Sequence, residues 1–140
     1  MILFLAENIT LPALGHTQVK QWIKTVAKTH DRKTGDISLV FCDDAKILEI
    51  NKQYLNHDYY TDIITFDYSE GKLISGDIFI SVETVASNAE KFDTGFENEL
   101  LRVIIHGVLH LCGFDDESDE LRKQMTLLEN EALNQLVLDA

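Results

Sequence analysis

His106 and His110, four residues apart in the stretch HGVLHLCGFDD, are the side chains here whose type and spacing point most directly to chemistry. In a helix, residues at i and i+4 stand one above the other on the same face, so both imidazoles can address a single atom. That is metal-ligand spacing. Zinc takes three or four nitrogen, sulfur or oxygen donors in a tetrahedron, and leaves one position to water when the site is catalytic. A third donor is therefore needed. Gly113 permits a sharp reversal just before Asp115 and Asp116, and an aspartate can complete the set. The competing reading makes both histidines core residues satisfied by backbone carbonyls, with Gly113 to Asp116 as a helix stop and cap. Against it, each unpaired imidazole in an apolar helix would cost about 1–3 kcal/mol, and a shared partner removes both costs. In the zinc-peptidase pattern His-Glu-x-x-His the general base follows the first histidine. Here that position is Gly107, which disfavours ordinary peptidase chemistry.

The elements that position these residues are read from periodicity. Ile2 to Leu5 reads as a strand. Thr17 to Thr29 reads as a helix with Val19, Ile23, Val26 and Ala27 inward and Lys20, Lys24 and Lys28 outward. Alternation predicts a second strand over Asp36 to Cys42, and Ile47, Leu48 and Ile50 a helix over Asp44 to Leu55. Thr61 to Tyr68 and Leu73 to Ser81 are β-rich and separated by a turn at Ser69-Glu70-Gly71, so they are expected to pair as neighbours. Val82 to Lys91 continues as a short helix. The next helix is expected to open at a capping box, with Thr94 accepting from the amide of Glu97 and the Glu97 side chain reaching back. From Phe96 to Leu111 it is apolar on nearly every side, the mark of a buried helix. Gly113 supplies a left-handed stop, and Ser118 starts a last helix with Asp119 and Glu120 in its first turn. The fold class is α+β, a small sheet of about four strands packed with helices and the candidate metal site at the end of a buried helix.

With 140 residues, 45% of them hydrophobic, one domain over 1–140 is expected. A formal charge of -12 argues against a general nucleic-acid coat protein, since phosphate binding relies on clustered Lys and Arg. Any RNA contact is local. Two cysteines, Cys42 and Cys112, are too few for a disulfide framework and suit a reducing compartment, hence the cytoplasm. MILFLAENITL lacks the basic start of a signal peptide, and no apolar run reaches the roughly 20 residues that span a bilayer. A soluble protein with no membrane partner is expected.

HGVLHLCGFDD resembles the signature of the YbeY family of rRNA-maturation endoribonucleases, usually His-Gly-x-Leu-His-Leu-x-Gly-Tyr-Asp-His. Asn51 to Tyr68 (NKQYLNHDYYTDIITFDY) is similar to that family's second block, and Ser75 to Ser81 (SGDIFIS) to its Gly-Asp-Ile strand, in the expected order. The resemblance implies a compact fold related in arrangement to zinc-dependent peptidases. It also implies one divalent metal, usually zinc, on three motif side chains, which fall here on His106, His110 and Asp116. It further implies a single-strand-specific, metal-dependent endoribonuclease that matures the small-subunit (16S) rRNA 3′ end and serves ribosome quality control. The implied partners are single-stranded rRNA, the small ribosomal subunit and its proteins, and an assembly GTPase.

Two departures bear on the chemistry. Asp116 stands where the family usually has a third histidine; its carboxylate brings a negative charge that weakens the Lewis acid and admits manganese as well as zinc. Asp115 is the rival ligand, or a residue that orients a neighbouring histidine or braces the turn. Leu55 stands where the family usually has an arginine thought important for activity, and no side chain is assigned as catalytic. Lys46, Lys52 and His57 are the alternative sources of charge, although solvated surface roles are the commoner explanation. Tyr54, Tyr59 and Tyr60 could stack on unpaired bases, worth about 1–3 kcal/mol each, with packing the rival role. Lys20, Lys24 and Lys28, with Arg32 and Lys33 beyond, form the clearest basic stripe, which could meet rRNA phosphates or an acidic protein, although a plain solvated helix face is the favoured reading. Cys112 points away from the histidines and is expected to be buried; Met125 fits the core stripe Leu121, Met125, Leu128, Ala132. The alternative function is a non-catalytic ribosome-assembly factor with a structural metal.

Overall fold

The computed structural model describes residues 1–54 and 62–136. The elements run β1 (Ile2–Ala6), α1 (His16–Thr29), β2 (Lys33–Cys42), α2 (Asp44–Tyr54), β3 (Ile63–Asp67), β4 (Leu73–Ser81), α3 (Val82–Lys91), α4 (Phe96–Leu111) and α5 (Asp119–Asn134). They form one α+β unit around a four-stranded mixed sheet in the order β1-β2-β4-β3. β1 and β4 run parallel to β2, and β3 is antiparallel to β4, with Ile63 opposite Ile80. The expected pairing of the third and fourth strands is therefore present, closed by a turn in which Gly71 takes φ +58°.

Alternation assigns the two faces of the sheet. Ile37, Leu39 and Phe41 of β2 and Ile74, Ile78 and Ile80 of β4 point into the main core with α1 and α4. Cys42 and Ile64 point the other way, onto Ile47 and Ile50 of α2. Trp22, absent from the predicted inward set, is also buried, and its indole N–H donates to the Ala132 carbonyl at 2.7 Å, tying α1 to α5. The second strand begins three residues earlier than its alternation shows, because a bulge between Thr34 and Ile37 breaks the period there.

The capping box at Thr94 is not formed. Gly95 is the residue that caps α4, without a side-chain bond, while the Thr94 hydroxyl donates to the Ala89 carbonyl at 3.4 Å and contacts Glu99 Oε2 at 3.3 Å. Asp93 at φ +54° turns the chain so that Thr94 is spent on the end of α3. The Ser118 cap is present, its Oγ accepting from the Leu121 amide at 3.1 Å.

Two glycines let α4 lie close on the sheet. A Cβ at Gly107 would stand 2.9 Å from both Ile63 Cδ1 and Ile78 Cγ2, so this position faces β3 and β4. A glutamate there would have to enter the sheet packing, which is the structural counterpart of the missing general base. At Gly76 a Cβ would stand 2.3 Å from the Phe66 carbonyl oxygen and 2.8 Å from Leu111 Cδ2. Ile tips can rotate away, whereas the Phe66 carbonyl belongs to the β3–β4 ladder. Gly76→Ala is accordingly expected to destabilise by about 3 kcal/mol, the upper end for overpacking, read as a lower urea midpoint at unchanged slope. A midpoint like that of the wild type would refute the tight fit.

Candidate metal centre

Phe96, Glu97 and Asn98 at the start of α4 are exposed; from Leu100 on the helix is buried except for Arg102, His106 and His110, which continue a partly exposed stripe from Glu99. These residues recur at three- and four-residue intervals, the spacing of one helix face. That face borders a cleft of about 260 Å³ lined by Asp62, Glu99, Arg102, Val103, His106, Asp116 and Glu129. The helix then ends in a Schellman turn: the Gly113 amide donates to the His110 carbonyl at 3.0 Å and the Phe114 amide to the Leu109 carbonyl at 3.1 Å. Gly113 takes φ +101° to close it, the reversal that the sequence requires. Beyond it, Asp116 returns to the histidines.

Three ligand atoms converge as a result. His106 Nε2 and His110 Nε2 are 3.0 Å apart, and Asp116 Oδ2 lies 3.3 Å from the first and 3.6 Å from the second. A tetrahedral ion with ligand distances of about 2.0–2.2 Å would space its donors by roughly 3.3–3.6 Å, close to this triangle. The other ring nitrogens are engaged by acceptors: His106 Nδ1 lies 2.7 Å from Glu129 Oε2, and His110 Nδ1 lies 3.0 Å from the Phe114 carbonyl. Each Nδ1 therefore carries its proton, and both Nε2 lone pairs face the Asp116 carboxylate. Three acceptors at such distances require a cation or a proton among them, so the donor set fits a divalent metal. The core-histidine reading holds only for the outer nitrogen of His110, which a backbone carbonyl does satisfy.

The protonated alternative is also visible in the electrostatics of His106. Burial opposes its charge, but the hydrogen bond to Glu129 and the negative fields of Glu129, Asp116 and Asp62 outweigh burial and raise its pKa above the usual histidine value. Any metal entering the site displaces that proton.

Residues 6–137 match the family described as Endoribonuclease YbeY. The chain belongs to the YbeY family. Among YbeY relatives, Endoribonuclease YbeY of Parabacteroides distasonis is 59% identical over 94% of this chain and 93% of its own length. The Bacteroides fragilis protein of the same name is 53% identical over 94% and 95%, and that of Azobacteroides pseudotrichonymphae 44% identical over 96% and 97%. The solution structure of a Thermotoga maritima protein aligns with TM-score 0.66 at 29% identity, covering 97% of this chain and 89% of that one. The α+β reading and the family resemblance are thereby borne out.

In this YbeY-family chain Asp115 is not brought to the histidines; it is exposed, and its Oδ1 accepts from the Asp116 amide at 2.7 Å, bracing the turn. Lys52 is exposed in the last turn of α2 and is not among the residues lining the cleft. Lys46 is paired with Glu7 at 3.4 Å. Leu55, His57, Tyr59 and Tyr60 lie outside the described residues. Cys112 and Met125 are buried as expected.

Two site residues escaped the sequence reading. Glu129 is 7% exposed on α5, and besides His106 its carboxylate holds Arg102, whose Nη1 donates to Oε1 at 2.9 Å. Arg102 Nη2 donates to Asn130 Oδ1 at 2.8 Å. The available signal was an acid next to the buried stripe of the last helix, between Leu128 and Ala132, since buried carboxylates need partners. Arg102 could have been found four residues before His106, on the same face.

Both cysteines are free thiols. Burial, with the Asp43 and Glu7 charges, pushes Cys42 up to about 12, and burial pushes Cys112 up to about 11. Native protein at pH 8 is expected to resist a thiol reagent that modifies both cysteines at once in denaturant. Between the unfolded thiol value of about 8.5 and these raised values the unfolded state sheds protons first, so stability falls as pH rises through that window. Rapid modification of the native protein would contradict the burial.

Among the described residues, no helix is long and apolar enough to cross a membrane.

Proposed function

We propose that this chain is a metal-dependent endoribonuclease acting on single-stranded rRNA, in maturation of the small-subunit rRNA 3′ end and in ribosome quality control. The observation that carries this reading is the convergence of His106 Nε2, His110 Nε2 and Asp116 Oδ2 within 3.6 Å in a chain of the YbeY family. Support for RNA as substrate comes from the curated relatives named endoribonucleases. A divalent ion bound there would supply Lewis acidity toward a phosphate oxygen and make water more acidic. The protein's own part is positional. Glu129 and the Phe114 carbonyl hold the imidazoles with their Nε2 atoms inward, and Asp115 braces the turn that presents Asp116. Zinc is the first candidate, and the anionic Asp116 also suits manganese. The proposal extends to a cytoplasmic setting and to the small subunit, its proteins and an assembly GTPase as partners.

The test is cleavage of a single-stranded rRNA 3′ fragment by purified protein. Activity is expected to stop on chelation and return with one divalent metal. A specific observation favours a second reading, a ribosome-assembly factor with a structural metal. Among the described residues Arg102 is the single Lys or Arg lining the cleft, and it is already bonded to Glu129 and Asn130. Under that reading chelation would lower the melting temperature and weaken ribosome binding, with no cleavage to lose. Failure to cleave with any divalent metal would decide for it.

A further inference from the structure

The nuclease reading poses an electrostatic problem. RNA is a polyanion, yet the chain carries a net charge of -12, and Asp62, Glu99, Asp116 and Glu129 wall the cleft against Arg102. A strand held at such a cleft needs positive surface close by.

That surface is concentrated in one place. Five of the chain's twelve Lys and Arg fall between Lys20 and Lys33, and no other stretch of that length is comparably basic. The window holds one acid, Asp31, whose carboxylate is paired with Lys72 at 2.6 Å. The structure divides the five. Lys20 Nζ lies over the Phe4 ring at 5.6 Å from its centre. The other four, Lys24 and Lys28 of α1 with Arg32 and Lys33 at the entry to β2, line a groove of about 530 Å³ that no carboxylate lines among the described residues. A solvated helix face does not account for this. The dipole of α1 explains a cation in its last turn, Lys28, but not Lys24, nor Arg32 and Lys33 beyond the helix.

The groove also adjoins the turn that builds the candidate metal centre. Arg32 Nη2 lies 3.9 Å from where a Gly113 Cβ would stand, and the His30 ring packs edge-on against Phe114 with centroids 4.9 Å apart. Phe114 is the residue whose carbonyl accepts from His110. The Arg32 guanidinium is held in place as its Nη1 donates to the carbonyls of His30 at 3.2 Å and Asp31 at 3.3 Å.

We infer that Lys24, Lys28, Arg32 and Lys33 form a groove for the sugar-phosphate backbone of single-stranded RNA, next to the Gly113–Asp116 turn, an inference that rests on the nuclease reading. Among the described residues no aromatic side chain lines the groove, so the groove as described positions the strand without reading bases.

The test uses a short fluorescein-labelled oligouridylate, followed by anisotropy across a salt series with metal-loaded protein. The wild type is compared with Lys28→Glu/Lys33→Glu and with the milder Lys28→Gln/Lys33→Gln, which keeps the question answerable if the reversed pair folds poorly. The expected result is at least roughly tenfold weaker binding at low salt, and a log–log salt slope shallower by about 1.4, about 0.7 for each lost contact. Metal content and melting temperature should match the wild type, and KM for cleavage should rise while kcat holds. Equal affinity and slope in variants and a cleaving wild type would overturn the groove alone. Unchanged RNA binding with loss of an acidic protein partner would reassign the groove to protein. A wild type that neither binds nor cleaves the strand would remove the nuclease reading and the groove with it.

Discussion

Asp116→Ala is expected to yield a folded chain that no longer retains divalent metal, where the wild type carries close to one ion. The substitution removes one of three converging donors and little else. The Asp116 amide still donates to Asp115, and the Asp116 carbonyl, which accepts from Arg122 Nη1 at 3.5 Å, is backbone. The apo variant should therefore match apo wild type within about 0.5 kcal/mol, the usual range for a surface change. Metal affinity should fall by more than about 100-fold, since losing even an outer partner of a ligand costs 10- to 100-fold. Added metal then separates the proteins: an ion at 100 times its dissociation constant stabilises wild type by about 2.7 kcal/mol, and the variant loses that increment. Elemental analysis and thermal melts with and without metal read both quantities. Asp115→Ala is the control and should keep its metal. Retention by Asp116→Ala with loss in Asp115→Ala would reverse the ligand assignment, and a metal-free wild type would remove the centre.

Glu129 carries the second large effect, although it donates nothing to the converging atoms. Its two carboxylate oxygens serve two donors, His106 Nδ1 and Arg102 Nη1. Glu129→Ala leaves a half-buried guanidinium without its carboxylate and a ligand ring without its orienting acceptor. The stability cost should be about 2–3 kcal/mol, below the 3–5 of a fully buried pair because Arg102 keeps some solvent. Metal affinity should fall by about 10- to 100-fold through misorientation of His106. Glu129→Gln sharpens the test. An amide offers one acceptor oxygen and one donor nitrogen, so it can satisfy either His106 or Arg102 but not both. The glutamine variant should recover part of the stability and still bind metal less well than the wild type. Competition against a chromophoric chelator, alongside urea melts, separates the two effects. Wild-type affinity in both variants would reduce Glu129 to a structural anchor.

His106 and His110 were legible because α4 is long, apolar and regular, so an i,i+4 pair has a single geometric meaning. The strands of the inner sheet were legible for the same reason, alternation over a half-buried surface. Where local geometry departs from the period, legibility stops: the bulge in β2 concealed its first turnings, and the left-handed Asp93 drew Thr94 away from the cap that its spacing to Glu97 suggests. The choice between Asp115 and Asp116 came from family resemblance, since both follow Gly113 closely enough to return to the histidines.

Glu129 was legible only as an oddity. It lies 23 residues from His106 along the chain, and the packing of α5 on α4 brings their atoms to 2.7 Å. No helical or strand period links positions so far apart. The basic window was equally plain in the sequence, while its form as a groove beside the Gly113 turn depends on how α1 and β2 meet that turn. By itself, then, the sequence determined the α+β class, the buried helix, the two histidines and the reversal that follows them, because each is a local pattern with a short-range physical cause. The tertiary structure decided which carboxylate reaches the histidines, which residue orients them and where the cations gather. Those outcomes depend on side chains from separate elements meeting in space, and short-range periodicity carries no record of that.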